Sequence, residues 1–304
     1  MTDDILLTDG GLETALIFLE GVDLRDFAAF ELLETAAGRA TLARYWQPFF
    51  ELAARTGRGF VLDTPTWRAS TDWGARLGYD AEDIARINRE AGVFAAELRR
   101  AAPAPGGIRI NGVVGPRGDG YVAEAAMGPA EAESYHRHQI NALAMGPVDQ
   151  ITAVTMTNVP EAIGVLWAAN DADLPVSIGF TVETDGRLPS GTGLAEAIAE
   201  VDAASPRPPS WFMINCAHPE HFAHVLDGPH AARIGALRCN ASRLSHAELD
   251  AADALDAGDP VEFGTLTAGL AVDLPQIRVL GGCCGTDHRH LERLAAALGR
   301  KVFS

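Results

Sequence analysis

A chain of 304 residues with 47% hydrophobic content has the length for one large domain or two modest ones and the apolar content of a packed protein rather than a disordered one. The balance of 41 acidic against 24 basic residues leaves a formal charge of −17, which repels phosphate backbones and anionic membrane surfaces and points to small-molecule partners, with neither nucleic acid nor membrane among them. The start, MTDDILLTDGG, carries acid where a secretion signal carries base, and no apolar run approaches the ~18–20 residues of a spanning helix, so a cytoplasmic protein is expected.

In chain order, short β-branched runs alternate with longer Ala- and Leu-rich amphipathic segments, the pattern of βαβ units. The first run, 5–11 (ILLTDGG), ends on Asp9 before paired glycines, and the second, 58–64 (RGFVLDT), leads into Thr64, Thr66 and Trp67. A helix is predicted over 81–102 with Asp80 as its N-cap. Further runs lie at 108–116, 150–156 and 176–182, and the Pro-rich SPRPPS at 205–210 reads as a loop before the run at 211–217. The run at 233–240 precedes SHAE (245–248), a Ser-x-x-Glu capping box. The last, 277–282, runs into GGCCGTDH, with a helix expected from about Asp287.

Eight β-runs followed by helical segments predict an α/β fold, a single (β/α)8 TIM barrel spanning 1–304, for which ~250 residues plus insertions is typical. A doubly wound open sheet is the alternative. Against it, the chain has neither Gly-x-Gly-x-x-Gly after the first run nor Gly-x-x-x-x-Gly-Lys-Ser/Thr anywhere. No internal repeat, low-complexity tract or domain boundary stands out.

In a barrel the C-terminal ends of the strands share one mouth, and that is where the polar residues of these runs fall. Cys216 ends the sixth run, while Cys283 and Cys284 follow the eighth, two places further round the ring. Four cysteines in a reducing compartment are poor material for a disulfide framework, so a cluster reads first as metal ligands. Three thiolates suit zinc, with sulfur at ~2.3 Å in a tetrahedral shell and a fourth position left for water or substrate. Gly281, Gly282 and Gly285 allow the bends that let neighbouring side chains serve one ion, and a helix starting near Asp287 turns its positive end toward the thiolates. Burial as small apolar residues and a vicinal redox disulfide between Cys283 and Cys284 remain open at this point.

GGCCGT (281–286), with INCAHPEHF (214–222) and TDGGLETAL (8–16), resembles the zinc- and homocysteine-dependent S-methyltransferase family. The likeness runs through LDTPTWRAS (62–70), GVVGPRGDGY (112–121) and YHRHQINALAMGPVDQI (135–151), nearly the whole chain in order. It implies a single barrel, zinc held by Cys216, Cys283 and Cys284, and methyl transfer to the sulfur of homocysteine to give methionine. Coordination deprotonates the acceptor thiol, so no catalytic group beyond the metal site is required. The partners implied are a small-molecule thiol acceptor and a methyl donor: a sulfonium such as S-methylmethionine, S-adenosylmethionine or dimethylsulfoniopropionate, or a betaine. A cobalamin protein on a separate chain and a homo-oligomer are compatible with the resemblance.

Asp9 matches the family position that binds the amino group of homocysteine. Thr155 and Asn215 are further substrate-binding candidates, and Trp67, Trp73 and Tyr121 are candidates for an aromatic wall against a cationic donor. Asn240 stands at a strand end in the same way. The family's Glu after the fourth strand is replaced by Val154, so the amino-group pocket lacks a charge: either Asp9 and Thr155 suffice, Glu183 or Asp185 supplies it, or the acceptor is another thiol. His218, His221, His288 and His290 lie near the thiols as hydrogen-bonding neighbours, and Cys239 reads as packing. Two rival readings keep the zinc. One is a metal-activated water for hydrolysis or lysis, with His218, Glu220 or His288 as base, and the other a non-enzymatic zinc- or thiol-sensing barrel.

Overall fold

The computed structural model describes residues 4–123 and 127–299. Its eight strands form one closed barrel in sequence order, each parallel to its neighbours. They are β1 (Leu6–Leu7), β2 (Phe60–Asp63), β3 (Ile108–Val114), β4 (Gln150–Met156), β5 (Val176–Phe180), β6 (Phe212–Asn215), β7 (Ile234–Cys239) and β8 (Val279–Gly282). All eight predicted runs contain strands: β4 fills its run, β8 ends where its run ends, and in the other six the last residues leave the sheet toward the mouth. The open-sheet alternative is excluded by closure: β1 pairs β8, with Leu7 opposite Leu280.

Seven long helices cover the barrel: α1 (Ala36–Thr56), α2 (Ala81–Ala101), α3 (Pro129–Ala144), α4 (Val159–Asp171), α5 (Leu194–Ala203), α6 (Pro260–Asp273) and α7 (His288–Ala297). Local chemistry sets their ends. Asp80 caps α2 in a reciprocal box with Asp83, and Ser245 does the same with Glu248 for a short helix at His246–Asp250. Between β6 and β7 the chain makes only a short helix at Pro219–Phe222 and 3-10 turns.

Strand alternation divides the core in two. Outward-facing Ile110, Ile151, Ile178, Ile214, Leu237 and Leu280 join the large core under the helices. Inward-facing Val61, Val113, Val154, Met213, Ala236 and Val279 pack together inside the barrel. A polar net crosses that interior: Asn111 donates to Asp63 at 2.7 Å and accepts from Thr152 at 2.7 Å and Gln150 at 3.2 Å. Among the described residues no helix is long and apolar enough to cross a membrane.

Candidate metal centre and substrate pocket

Two backbone bends and one glycine turn bring the three cysteines together. Cys216 follows β6 with φ 53°, and Thr155, near the end of β4, has φ 65°. Both are left-handed, a conformation that side chains other than glycine adopt at a cost and that is rarest for a β-branched residue. One side chain holds the Thr155 bend: the Asn215 amide oxygen accepts from the Thr155 N–H at 3.0 Å, and its NH2 donates to the Thr155 hydroxyl at 2.9 Å. That hydroxyl can in turn donate to the Cys216 sulfur at 3.8 Å.

At the other side of the mouth, the Cys283 N–H is tied to the Cys239 carbonyl at 2.8 Å, and the Cys283 carbonyl accepts from the Thr286 hydroxyl at 2.7 Å. Gly285 takes a left-handed φ of 78°, the turn predicted of it. Gly282 lies within β8 for a different reason: a Cβ there would strike the Thr286 hydroxyl. The helix expected near Asp287 begins at His288, but its N-terminus is occupied. Asp287 lies 3.2 Å from His290 Nδ1, accepts from the Arg289 N–H at 2.9 Å and binds the Arg289 guanidinium at 2.6 Å, and against the cost of burial the His290 and then the Arg289 contacts hold its carboxyl well below the usual range.

The sulfurs of Cys216, Cys283 and Cys284 all lie within 4.8 Å of one another. Cys216 and Cys283 are joined as a disulfide with Cα atoms 5.4 Å apart, and Cys284 is free. Sulfurs at ~2.3 Å from a tetrahedral ion stand about 3.8 Å apart, so the reduced cluster fits zinc once the Cys216 and Cys283 sulfurs separate. The donor set is of the soft kind zinc takes. The Tyr121 hydroxyl donates to the Cys284 sulfur at 3.2 Å, and burial pushes that thiol up while this hydrogen bond pulls it down. Tyr121 stacks on His246 with ring centroids 4.1 Å apart. His246 is bonded through Nε2 to the Cys216 carbonyl at 2.8 Å and through Nδ1 to Glu183 at 3.0 Å. One Glu183–His246–Tyr121 chain thus supports two of the three cysteines.

The cysteines open on a cavity of about 230 Å³ that Asp9, Trp67, Tyr121 and Thr155 also line. Asn215 does not line it, because both ends of its amide are committed to Thr155. Asp9 is already occupied. Its carboxylate takes the Arg238 guanidinium at 2.6 Å, the Trp46 indole N–H at 3.0 Å and the Thr8 hydroxyl at 3.2 Å. Arg238 also bonds Asp63 and the Gly282 carbonyl, the latter at 3.1 Å, so one buried guanidinium ties β7 to the ends of β1, β2 and β8. Burial, opposed by Arg238 and reinforced by the Asp63 charge, pushes the Asp9 carboxyl up to about 6.

Val154 stands on the cavity wall, and neither Glu183 nor Asp185 lines the cavity. Of the carboxylates that line it, Asp9 and Asp63 are held by Arg238, whereas Glu13, in the first turn after β1, makes no ion pair among the described residues, and burial pushes it up to about 7. Asp119 and Asp250 stand further out on the same wall. The histidines serve elsewhere: His218 Nδ1 accepts from the Glu220 N–H at 3.3 Å, His221 bonds the Arg243 carbonyl, His290 bonds the Ala257 carbonyl, and His288 is exposed. Asn240 is buried outside the cavity lining, Trp73 lines an outer groove, and Cys239 is buried as expected, its thiol pushed up to about 12. Arg238, Asp63, Glu13 and His246 escaped the sequence reading. The one signal was Glu13 within GGLET, adjacent to the Asp-Gly-Gly element.

A sequence profile of the family described as Homocysteine S-methyltransferase matches residues 6–298. Methionine synthase of Mycobacterium leprae is 31% identical over 134 residues, which are 42% of this chain and 10% of that protein, so the chain spans a small part of that relative. Among solved structures, the homocysteine methyltransferase MmuM of Escherichia coli in its metallated form shares 21% identity and a TM-score of 0.72 over 96% of each chain. Its oxidised form gives 22% and 0.72 over the same shares, and its apo form 20% and 0.65 over 97% of this chain and 96% of that one. At these identities the likeness is one of fold.

Proposed function

The chain belongs to the homocysteine S-methyltransferase family, and on that premise we propose that it transfers a methyl group from a cationic donor to the sulfur of homocysteine, giving methionine, with zinc held by Cys216, Cys283 and Cys284. The observation that carries the reading is the convergence of these three sulfurs within 4.8 Å on the wall of a pocket at the barrel mouth. The metallated form of the Escherichia coli protein, a barrel of the same shape, supports it.

Zinc, when bound, lowers the pKa of the acceptor thiol from ~8.5 so that its sulfur is nucleophilic at neutral pH. The rest is done by the chain. Thr155, Tyr121 and the His246–Glu183 pair orient the cysteines. Trp67 and Tyr121 face the pocket with Asp119 and Asp250, an aromatic and acidic lining suited to an onium donor. The acceptor sulfur attacks the donor methyl carbon in line. The new S–CH3 bond forms as the old bond to the onium atom breaks, its electron pair leaves with the now neutral donor, and no proton moves in the step. Catalysis is then mainly positioning. With Asp9 held by Arg238, we assign the acceptor's ammonium to Glu13, which compensates for Val154.

None of the bases that hydrolysis would call on, His218, Glu220 or His288, lines the pocket. Reduced protein reconstituted with zinc should bind about one ion per chain and methylate homocysteine, and Cys283→Ala should lose both. Full methyl transfer by metal-free protein would overturn the reading.

A further inference from the structure

On the methyl-transfer reading above, on which this inference rests, the pocket faces a problem of chemical selection. A methyl carbon brought to the acceptor sulfur also comes near three cysteine sulfurs, all within 4.8 Å of one another. Attack by a cysteine would form its own S–CH3 bond as the methyl–onium bond breaks, with the electron pair leaving on the donor. The product is a neutral thioether in place of a thiolate ligand, and the hold on the ion would be lost.

Cys284 is the sulfur most at risk. The aromatic wall suited to an onium group includes Tyr121, and the Tyr121 hydroxyl stands 3.2 Å from Cys284 Sγ. That hydroxyl is aimed. Its ring is stacked on His246 with centroids 4.1 Å apart, and His246 is fixed in turn by the Cys216 carbonyl and Glu183. Asn240, buried just after β7, hydrogen-bonds the same hydroxyl. A phenol carries one proton and an oxygen that also accepts, so with the Asn240 amide donating to the oxygen the proton is left for the sulfur. Asn240 Oδ1 is buried without a partner among the described residues, a cost to the fold at the very residue that directs this proton. The backbone holds Asn240 from both sides: its N–H donates to the Ala217 carbonyl at 3.0 Å, and the Ala241 N–H donates to the Cys284 carbonyl at 3.1 Å.

A hydrogen bond to a thiolate draws charge off the sulfur, and a less basic sulfur attacks more slowly. We propose that Tyr121, with Asn240 as the positioning residue behind it, shields Cys284 from the methyl donor, so that the methyl group passes to the acceptor sulfur and not to a ligand of the metal.

The test is methylation of the ligands themselves. Reduced, zinc-loaded wild type, Tyr121→Phe, Asn240→Leu and the double variant, each with its zinc content measured first, are treated with methyl iodide in the absence of acceptor. Peptide mass spectrometry then locates the methyl groups, with Cys283 on the same wall as the reference inside each molecule. Tyr121→Phe should raise the rate at Cys284 about fivefold relative to Cys283, the effect of one such hydrogen bond, with zinc released as methylation proceeds. Asn240→Leu should raise the same ratio about two- to fivefold and add nothing further in the Tyr121→Phe background. Asn240→Ala, which adds no bulk, takes its place if the leucine variant does not fold. An unchanged ratio of Cys284 to Cys283 methylation in Tyr121→Phe, or no methylation of Cys284 in any of the proteins, would overturn the proposal. An Asn240→Leu effect that persists without the Tyr121 hydroxyl would overturn the role given to Asn240. Methylation of homocysteine by zinc-loaded wild type alongside an unchanged ratio sinks this inference alone, whereas failure of the reduced protein to hold zinc sinks the reading on which it rests.

Discussion

Replacing Arg238 by methionine tests how the floor of the pocket is held together. The guanidinium bonds Asp9, Asp63 and the Gly282 carbonyl and lies within about 3.3 Å of the Gly10 carbonyl. Without it two buried carboxylates face each other uncompensated, a change that costs about 3–5 kcal/mol when one partner of a buried pair is removed. With a urea m-value of about 3 kcal/mol/M that is a midpoint shift of about 1–2 M. The loss should depend on pH. Deprived of Arg238, the Asp9 carboxyl, already raised by burial, loses its main opposing charge and rises further, so between its unfolded and folded values the folded state binds more protons than the unfolded one, and stability rises as pH falls. Urea unfolding of wild type, R238M and the triple variant R238M/D9N/D63N at pH 8 and 5.5 checks this. The R238M deficit should be largest at pH 8, shrink by more than half at pH 5.5, and be largely restored in the triple variant, whose amides remove both charges. An equal deficit at both pH values, or a triple variant as unstable as the single, would refute the electrostatic account and leave packing as the cause.

Glu13→Gln should raise the KM for homocysteine about tenfold at pH 8 and spare a thiol without an amino group. Because burial puts the Glu13 carboxyl at about 7, the wild-type KM should itself climb as pH falls from 8 to 6, while the variant's stays flat. The stability sign runs the other way: a raised carboxyl makes the fold lose stability as pH rises from about 4.5 through 7. The variant should therefore gain about 3 kcal/mol over wild type at pH 8 in urea unfolding and nothing at pH 4.5. Asn215→Ala leaves the buried Thr155 N–H unpaired and should cost about 2–4 kcal/mol while weakening zinc retention against a chelator 10- to 100-fold. Unchanged chelator competition would show that the Thr155 bend does not serve the sulfurs. Tyr121→Phe keeps the stack on His246 but removes the hydrogen bond to Cys284, so zinc retention should fall about fivefold with the thermal midpoint unmoved.

The barrel was legible because each strand is a short β-branched run set between amphipathic segments, and β-strands buried on both faces are written that way in sequence. The cysteines were legible because strand-end thiols beside glycines have few structural uses. What sequence concealed are groups whose role depends on register around the ring. Arg238 lies at an inward position of β7, yet nothing in RIGALRCN says that its head lands between Asp9 just after β1 and Asp63 on β2. His246 opens a short helix whose capping box was foreseen, but its contact with the Cys216 carbonyl spans 30 residues and exists only once β6 and β7 are paired. Its place at a strand end makes Asn215 a substrate candidate in the sequence. The side chain instead turns sideways to the neighbouring bend, a choice made by the φ of Thr155 rather than by sequence position.

The two left-handed bends at Thr155 and Cys216 have a consequence for anyone wishing to move this site. Three cysteines copied onto another eight-stranded barrel would keep ordinary strand-end geometry, with neighbouring side chains on opposite faces of the sheet, and their sulfurs would not converge. The transferable unit is larger: the cysteines, both reversed backbone positions, and the Asn215 amide that clasps one of them. A graft lacking the amide would inherit the ligands without the aim, and its metal affinity would be the first property to betray the omission.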